Sequence, residues 1–239
     1  MMQGARAPHV LFYWGMTSGV LLFFAALVLA ILSLSAEAPG LFGQVSDRMP
    51  ESGVKSMVTG VLLNFRAYDT LLEITVLLVA VLGLAAIRLG SREPLPEAFT
   101  AGPVLMEFLR FLVPVMVLLA GYLLWVGSKY PGGAFQAGAV LGAATILLQI
   151  AGRIQAGAFP LWLEKTALIS GVFVFAGIGL GCMLFNGQFL EYPQEHAKGL
   201  ILLIEAAATV SIGATLMALF AGRSLADPHD AESDGEEHE

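Results

Sequence analysis

Long apolar runs, separated by short polar segments, dominate the pattern along this chain. Runs of about 20 apolar residues are long enough to cross a hydrocarbon core of about 30 Å as helices. The pattern predicts such helices at residues 10–34, 66–88, 103–126, 132–151, 161–185 and 199–221. We therefore expect an all-α integral membrane protein with about six transmembrane helices.

Two segments depart from this regular pattern. A continuous helix over residues 54–87 would be roughly 50 Å long at 1.5 Å per residue, more than a bilayer core of about 30 Å requires. Gly60 is the predicted break, which makes residues 54–65 a short interfacial or re-entrant helix. Residues 89–102 contain two interior prolines and are predicted to link a two-helix front to a four-helix back.

The net negative charge of the chain arises from its last residues. The net charge is −7, and seven acids lie within residues 227–239. A short acidic run without aromatic residues cannot bury enough surface to order itself, so it is predicted to be a solvated tail. The predicted domains are residues 1–100 with two helices and the linker, residues 101–226 with four helices, and the acidic, disordered tail at 227–239.

Several classes of function are disfavoured by what the sequence lacks. Cys182 is the single cysteine, so a disulfide or a cysteine-ligated metal cluster within the chain is excluded. Phosphate-binding loops, zinc-protease motifs, serine nucleophile elbows and basic clusters typical of nucleic-acid binding do not occur. We expect no soluble active site, no metal site, no cofactor held by this chain and no nucleic-acid partner.

Basic residues flank the two sides of the predicted spans unequally. The side that carries both termini has the larger share, which predicts termini in the cytoplasm of a bacterial or archaeal cell membrane. Ala36-Glu37-Ala38 has the form of a signal-peptide cleavage site. The first apolar run exceeds the roughly 7–15 residues of a secretory signal, so a retained span is favoured over a cleaved one.

Three charged residues enter the second span with helical spacing. Arg66, Asp69 and Glu73 are separated by three and four residues, so they share one helix face. A charge near the bilayer centre costs at least about 2.5–3.5 kcal/mol, so such residues are usually retained for a function. Arg66 can neutralise one carboxylate, and the other then needs a proton, a cation or another partner.

Polar residues on other spans predict two polar layers with an apolar middle. Glu73, Gln136 and Glu205 lie roughly 6–9 Å into spans that start on the same side, at 1.5 Å per residue. The opposite layer would contain Glu107, Arg110, Gln149, Glu164 and Lys165. Charged residues near helix ends are more simply explained by snorkelling to the headgroups, and the glutamines by interhelical hydrogen bonds. Glu73 and Glu205 are the strongest functional candidates, and Asp69 remains open.

Glycines predict where helices approach closely. Gly138 with Gly142, and Gly177 with Gly181, form GxxxG spacings, in which missing side chains let backbones meet. Gly132 and Gly133 complete the set of predicted packing glycines.

Two motifs carry a resemblance to a known family. Residues 130–141, YPGGAFQAGAVL, closely resemble the proline–glycine–glycine–x–phenylalanine–glutamine signature of the B subunit of Mrp-type multisubunit cation/proton antiporters, and residues 103–221 resemble that subunit. Residues 63–70, LNFRAYDT, followed by Glu73, resemble the carboxy-terminal part of the A subunit. Similar subunits recur in membrane-bound hydrogenases and other complex-I-related assemblies. The chain thus resembles a fusion of an A-subunit tail to a B subunit.

Departures from the family pattern are modest. Ala134 and Ala137 stand where glycines are common, and Leu72 replaces a small residue before the glutamate. The chain has only 239 residues and lacks anything comparable to the long antiporter subunits, so it cannot be the whole transporter. The resemblance implies that such small subunits help form a route for sodium or protons. Glu73, Asp69 and Glu205 would then exchange protons or bind a hydrated cation, and Arg66 would tune the carboxylates.

Three functions follow as hypotheses. The first is an accessory, ion-path-forming subunit of a sodium/proton antiporter, with other antiporter-type membrane subunits and the lipid bilayer as partners and Na⁺ or H⁺ as transported ions. The second is a subunit of a redox-driven pump, such as a membrane-bound hydrogenase with its peripheral arm. The third is a purely structural packing subunit. None requires chemistry on a substrate from this chain.

Overall fold

A computed structural model describes residues 7–34, 40–89, 102–154 and 159–222. The sequence resembling a cleavage site, most of the predicted linker and the predicted acidic tail lie outside the described residues. Helices account for all regular structure in the described part of the chain. The prediction of an all-α membrane protein is confirmed.

Eight α-helices follow one another in the part of the chain that the structure describes. They are α1 (Ala7–Leu32), α2 (Phe42–Arg48), α3 (Met57–Gly60), α4 (Ala67–Leu89), α5 (Pro103–Val126), α6 (Ala134–Ile150), α7 (Leu161–Asn186) and α8 (Ala197–Ala221). A 3-10 turn at Met49–Ser52 precedes α3, and a π-helical segment at Val61–Phe65 follows it. The long helices lie close to the predicted bounds because apolar length dominates their sequence signal.

Five helices of the described residues, α1, α4, α5, α7 and α8, are long and apolar enough to cross a membrane. The sixth predicted span corresponds to α6, which is apolar but has only 17 residues. It starts at Ala134 rather than at residue 132 because Gly133 has φ 112° and ψ −171°, a conformation outside the helical region. The chain is therefore a multi-pass membrane protein.

The described residues belong to two compact units, residues 1–43 and residues 44–239. The first contains α1, whose described side chains from Tyr13 onward are exposed within this chain. In the second, α6 and α7 pack on α8, α5 packs on α6, and α4 packs on α7 and α8. The core of this unit follows α8, where Ile201, Ile204, Ala208 and Ile212 are buried.

Small residues explain why α8 is central. A Cβ atom added at Gly138 of α6 would lie 2.7 Å from Ile212 Cβ, and one at Gly142 would lie 2.9 Å from Leu216 Cβ. Gly171 of α7 approaches the other side of α8 in the same way, with Ser211 Cβ 2.8 Å from the added atom. The helices meet at these points because the glycines have no side chain.

The second GxxxG pair has different surroundings. Among the described residues, no heavy atom beyond the adjacent residues and the backbone of α7 itself lies within 4 Å of a Cβ added at Gly177 or Gly181. These glycines therefore form no close helix contact within the described part of the chain.

The predicted break at Gly60 was wrong in position. Gly60 has helical angles, φ −59° and ψ −42°, and a Cβ there would lie 2.9 Å from Met49 Sδ. The break occurs instead at Arg66, with φ −126° and ψ 36°, where the π-helical segment ends. Gly60 allows close packing against Met49. The short helical segment before α4 extends to Phe65.

Hydroxyl groups connect this short segment to its surroundings. Thr59 Oγ1 donates a hydrogen bond of 2.6 Å to the carbonyl of Gly127, 68 residues later in the chain. Thr70 Oγ1 donates one of 2.6 Å to the carbonyl of Leu62. The amide N–H groups of Lys55 and Ser56 both donate to the carbonyl of Ser128, at 3.0 and 3.1 Å. The residues that precede α4 are thereby fixed against the loop that precedes α6.

We expect Thr59→Val to lower the free energy of unfolding by about 1–2 kcal/mol, because the side-chain shape is kept while a buried hydrogen bond is lost. Thermal unfolding in detergent measures this. Thr166→Val is the matched control, since that exposed hydroxyl bonds only to carbonyls of its own helix. Equal melting temperatures for the two variants would contradict the expectation.

Candidate functional site

A cavity of about 250 Å³ lies between the segment preceding α4, α4 itself, the first turn of α6 and the stretch of α8 from Ile204 to Ala208. Most of its lining is apolar, and the polar side chains are those of Thr59, Thr70, Gln136 and Glu205. A mostly apolar cavity with a few convergent polar groups is the usual form of a small-ligand site.

Glu205 is the central residue of this cavity. Its side chain is 2% exposed, and within the described part of the chain it is the sole charged residue that is buried. Its Oε2 atom has no hydrogen-bond partner. An isolated buried carboxylate is very unfavourable, so this group requires a proton, a cation or a partner from another chain.

Two other buried oxygen atoms of the described residues also lack hydrogen-bond partners, Tyr192 Oη and Thr215 Oγ1. Both belong to hydroxyl groups. Tyr192 lies in the loop between α7 and α8, where burial, with a smaller contribution from the Cys182 thiol, raises the pKa of the phenol. The phenol therefore stays neutral, and Glu205 alone among the three brings an acidic group into the interior.

The loop before α6 places backbone directly against this carboxyl group. The N–H of Gly133 donates to the carbonyl of Leu123 at 3.0 Å, which returns the chain to the end of α5. A Cβ added at Gly132 would lie 2.5 Å from the same carbonyl oxygen. A Cβ added at Gly133 would lie 3.0 Å from Glu205 Oε1. The two glycines are thus needed for a tight turn and for the approach of the carboxyl group.

This arrangement puts Glu205 beside the N-terminus of α6. The first backbone N–H groups of a helix have no partner within the helix and carry partial positive charge. They favour a carboxylate at this position when its proton is released. Thr209, one turn further along α8, donates from Oγ1 to the carbonyl of Glu205 at 2.7 Å.

The other polar groups of the cavity are oxygen acceptors. The hydroxyls of Thr59 and Thr70 donate to backbone carbonyls, which leaves their lone pairs available. Gln136 contributes an amide at the edge of the cavity, where its side chain is exposed. A carboxyl group with hydroxyl and amide oxygens suits protons and hard cations rather than soft metals.

The predicted charged stripe lies on a different face of α4. Arg66 pairs with Asp69, one of the two carboxylates that it could neutralise, and their side chains are 66% and 43% exposed. Glu73 is exposed. Thr70 and Ile74, on the same helix, are buried and line the cavity. Of the predicted layer of Glu73, Gln136 and Glu205, the structure therefore brings Gln136 and Glu205 together and places Glu73 outside the cavity.

The candidates at the opposite ends of the helices also lie away from this cavity. Glu107 and Arg110 pair at 3.7 Å on the surface. Lys165 is exposed and Glu164 is partly buried. The described residues contain no cluster of His, Cys, Asp and Glu that could hold a metal ion.

Sequence reasoning missed Thr59 and Thr70. A threonine in an apolar helix is ordinary, and nothing in the sequence predicts the π-helical segment at Val61–Phe65, which lies between the two residues. The nearest signal was the excess length of residues 54–87, which required a break close to these positions.

We expect Gly133→Ala to impair both folding and the cavity. With φ 112° an alanine is strained, at a cost of about 1–3 kcal/mol, and its methyl group would contact Glu205. Thermal unfolding of the purified protein measures the loss. Gly181→Ala is the control, because no described atom lies near an added Cβ and φ is not positive there. Unchanged stability of Gly133→Ala would contradict the strained geometry.

Several known proteins are similar to this chain in sequence. A family model described as a domain related to the MnhB subunit of Na⁺/H⁺ antiporters matches residues 104–221. The chain is 28% identical over 180 residues to the A/B subunit of a probable K⁺/H⁺ antiporter of Rhizobium meliloti, which covers 62% of this chain and 17% of that protein. It is 31% identical over 160 residues to an uncharacterized protein of Methanocaldococcus jannaschii, covering 57% and 60%.

Two solved structures share the fold. A chain of the Mrp complex from Dietzia sp. superposes with a TM-score of 0.63 at 24% identity, covering 92% of this chain and 26% of that one. A chain of an archaeal membrane-bound sulfane sulfur reductase, a respiratory membrane complex, gives 0.62 at 22% identity, covering 90% and 97%. Both matches are to chains of multisubunit membrane complexes.

These findings confirm the predicted resemblance to Mrp-type antiporter subunits and to related respiratory complexes. The chain spans 17% of the Rhizobium relative and 60% of the Methanocaldococcus one, so it corresponds to part of each. The cavity residues Gly133, Gln136 and Glu205 lie within the matched segment. Residues 104–221 of this chain form a domain related to the MnhB subunit of Na⁺/H⁺ antiporters.

Proposed function

We propose that this chain is an accessory membrane subunit of a multisubunit monovalent cation/proton antiporter, and that the cavity around Glu205 is part of the route for a proton or cation. The observation that carries the proposal is a buried carboxyl group, without a hydrogen-bond partner on Oε2, that lines a cavity inside a membrane bundle. Ionisable residues within membrane spans are usually functional.

The chemistry needed from Glu205 is simple. A carboxyl group in this position is neutral when it holds a proton, and it is neutral as a pair when it binds a monovalent cation. Between loss of the proton and binding of the cation, Glu205 is a charged carboxylate. The partial positive charge at the α6 N-terminus lowers the free-energy cost of that carboxylate. Alternation between proton and cation on one carboxyl group is what exchange across a membrane requires.

The route must continue beyond this chain. The cavity lies at the start of α6 and two to three turns into α8, and Glu164 and Lys165 belong to the start of the antiparallel helix α7. Among the described residues, no polar side chain other than the four named lines the cavity. Neighbouring antiporter subunits, or water between them, would carry the ion through the remaining membrane thickness. The predicted path residues Asp69 and Glu73 lie on a different face of α4 from the cavity residues Thr70 and Ile74, and they would take part only with such a neighbour.

The same membrane module is compatible with a redox-driven complex. The match to a chain of the sulfane sulfur reductase supports this second candidate, because 97% of that chain is covered. In either case this chain would hold no cofactor, and the energy would come from an ion gradient or from a peripheral redox arm. We place the chain in the cytoplasmic membrane with both termini in the cytoplasm.

The test is purification in mild detergent with native partners, identification of those partners by mass spectrometry, and reconstitution into vesicles. Antiporter subunits alone, together with proton movement driven by Na⁺ or K⁺, are the expected result. Iron–sulfur or hydrogenase-like partners would instead support the second candidate function, a subunit of a redox-driven complex. Unaltered exchange by a complex lacking this chain would overturn both.

A further inference from the structure

The outer face of α4 is defined by Asp69, Leu72, Glu73, Val76 and Ala80. Their spacing of three and four residues places them on one side of the helix. Leu72 and Val76 are 60% and 65% exposed, and Glu73 and Ala80 are exposed as well. The opposite side of the helix, with Thr70, Ile74 and Val81, is buried in the bundle.

Glu73 lies within the membrane span rather than at its end. It is the seventh residue of α4, roughly 9 Å along the axis at 1.5 Å per residue. Thr70 and Ile74, on either side of it in sequence, line the Glu205 cavity. Glu73 is therefore at the depth of that cavity but on the exposed side of α4, between exposed apolar side chains.

The charge of this face is not balanced within the described residues. Arg66 forms its ion pair with Asp69, four residues before Glu73. None of the described basic residues forms an ion pair with Glu73. A carboxylate exposed to hydrocarbon is costly, and intramembrane charges face a bundle interior or a partner group instead. A cationic partner on another helix would complement the single negative charge.

We propose that the outer face of α4 docks a transmembrane helix of another membrane subunit, and that this helix presents a Lys or Arg side chain to Glu73. The exposed leucine and valine would pack against the partner helix, and the ion pair would fix its depth. The first span of this same chain does not fit that description, because residues 7–34 contain no Lys or Arg.

Photo-crosslinking in the intact complex tests the position of the partner. A photoreactive amino acid at Val76 is expected to attach to a peptide from a transmembrane helix of a different subunit, and that helix should contain Lys or Arg. Leu118 of α5, which is 74% exposed, is the matched control site. Attachment of the Val76 probe to lipid, to residues 7–34 of this chain, or to a helix without a basic residue would overturn the proposal.

Charge reversal tests the ion pair through assembly, independently of transport. Glu73→Lys is expected to lower recovery of the partner subunit with this chain about tenfold, the effect of one unfavourable charge contact on an association constant. Changing the crosslinked Lys or Arg to Glu should restore recovery. Glu107→Lys on α5 is the control, because Glu107 lies on the surface beside Arg110. Wild-type recovery with Glu73→Lys, or no restoration by the reciprocal change, would count against the pair.

Discussion

Glu205→Gln is expected to lower cation-driven proton movement by the reconstituted complex about 100-fold, the lower end of the range for losing a positioned proton-transfer group. Glutamine has nearly the same size and fills the same space against Gly133, so the fold should be kept. The amide cannot hold or release a proton and cannot neutralise a bound cation. Proton flux in vesicles, followed with a pH-sensitive dye during Na⁺ and K⁺ pulses, measures the effect.

The matched control is Glu107→Gln, which removes an acid of the same type from an exposed position on α5. Exchange by this variant should equal that of the unmodified complex. The yield of assembled complex must be the same for both variants, so that a lower flux reflects transport alone. If the Glu205→Gln complex exchanged ions at the wild-type rate, the cavity would not be part of the ion route. A packing role would then remain for this chain.

Gly138→Leu is the second substitution with a large expected effect. It is expected to change the stability of the helix bundle rather than ion transport. A Cβ at this position would lie 2.7 Å from Ile212 Cβ and 3.0 Å from the carbonyl oxygen of Thr209. Since one of these atoms is backbone, α6 and α8 would have to separate. We expect a loss of about 3 kcal/mol in the free energy of unfolding, at the upper end of overpacking effects. Thermal unfolding of the purified protein in detergent measures this.

Gly177→Leu is the internal comparison for that experiment. Gly177 has the same GxxxG spacing in another span, but no described atom lies within 4 Å of a Cβ added there. Its melting temperature in the isolated chain should stay close to that of the unmodified protein. If both leucine variants lost stability equally, the contact between α6 and α8 could not be the cause.

This contrast shows what the sequence could and could not predict. Apolar length placed the long helices, because a bilayer core imposes a minimum length on any span. Glycine spacing identified two candidate packing faces but could not tell which one meets a helix of the same chain. That depends on how the helices are arranged, and arrangement has no local signal in sequence.

The acidic residues illustrate the same limit. Glu73 and Glu205 have equivalent depths in their spans, and the sequence treats them alike. Their surroundings differ because Glu205 is on the side of α8 that faces Gly133 and the segment before α4. Glu73 is on a side of α4 that is exposed in the described part of the chain. The stretch between Gly60 and Arg66 was predicted least well. Its own contacts join residues that are distant in sequence, such as Asn64 with the carbonyl of Ser52 and Leu62 with the hydroxyl of Thr70, and composition does not reveal them.

The size of the Glu205 cavity has a consequence for ion selectivity. At about 250 Å³ it is far larger than the share of about 30 Å³ that one molecule occupies in liquid water. An ion in such a space keeps much of its hydration shell instead of exchanging it for a rigid ring of ligands. Na⁺ and K⁺ differ mainly in bare radius, and a hydrated ion hides that difference. If the proposed ion route passes through this cavity, the choice between the two alkali metals is therefore expected to be made at a narrower point of the assembly.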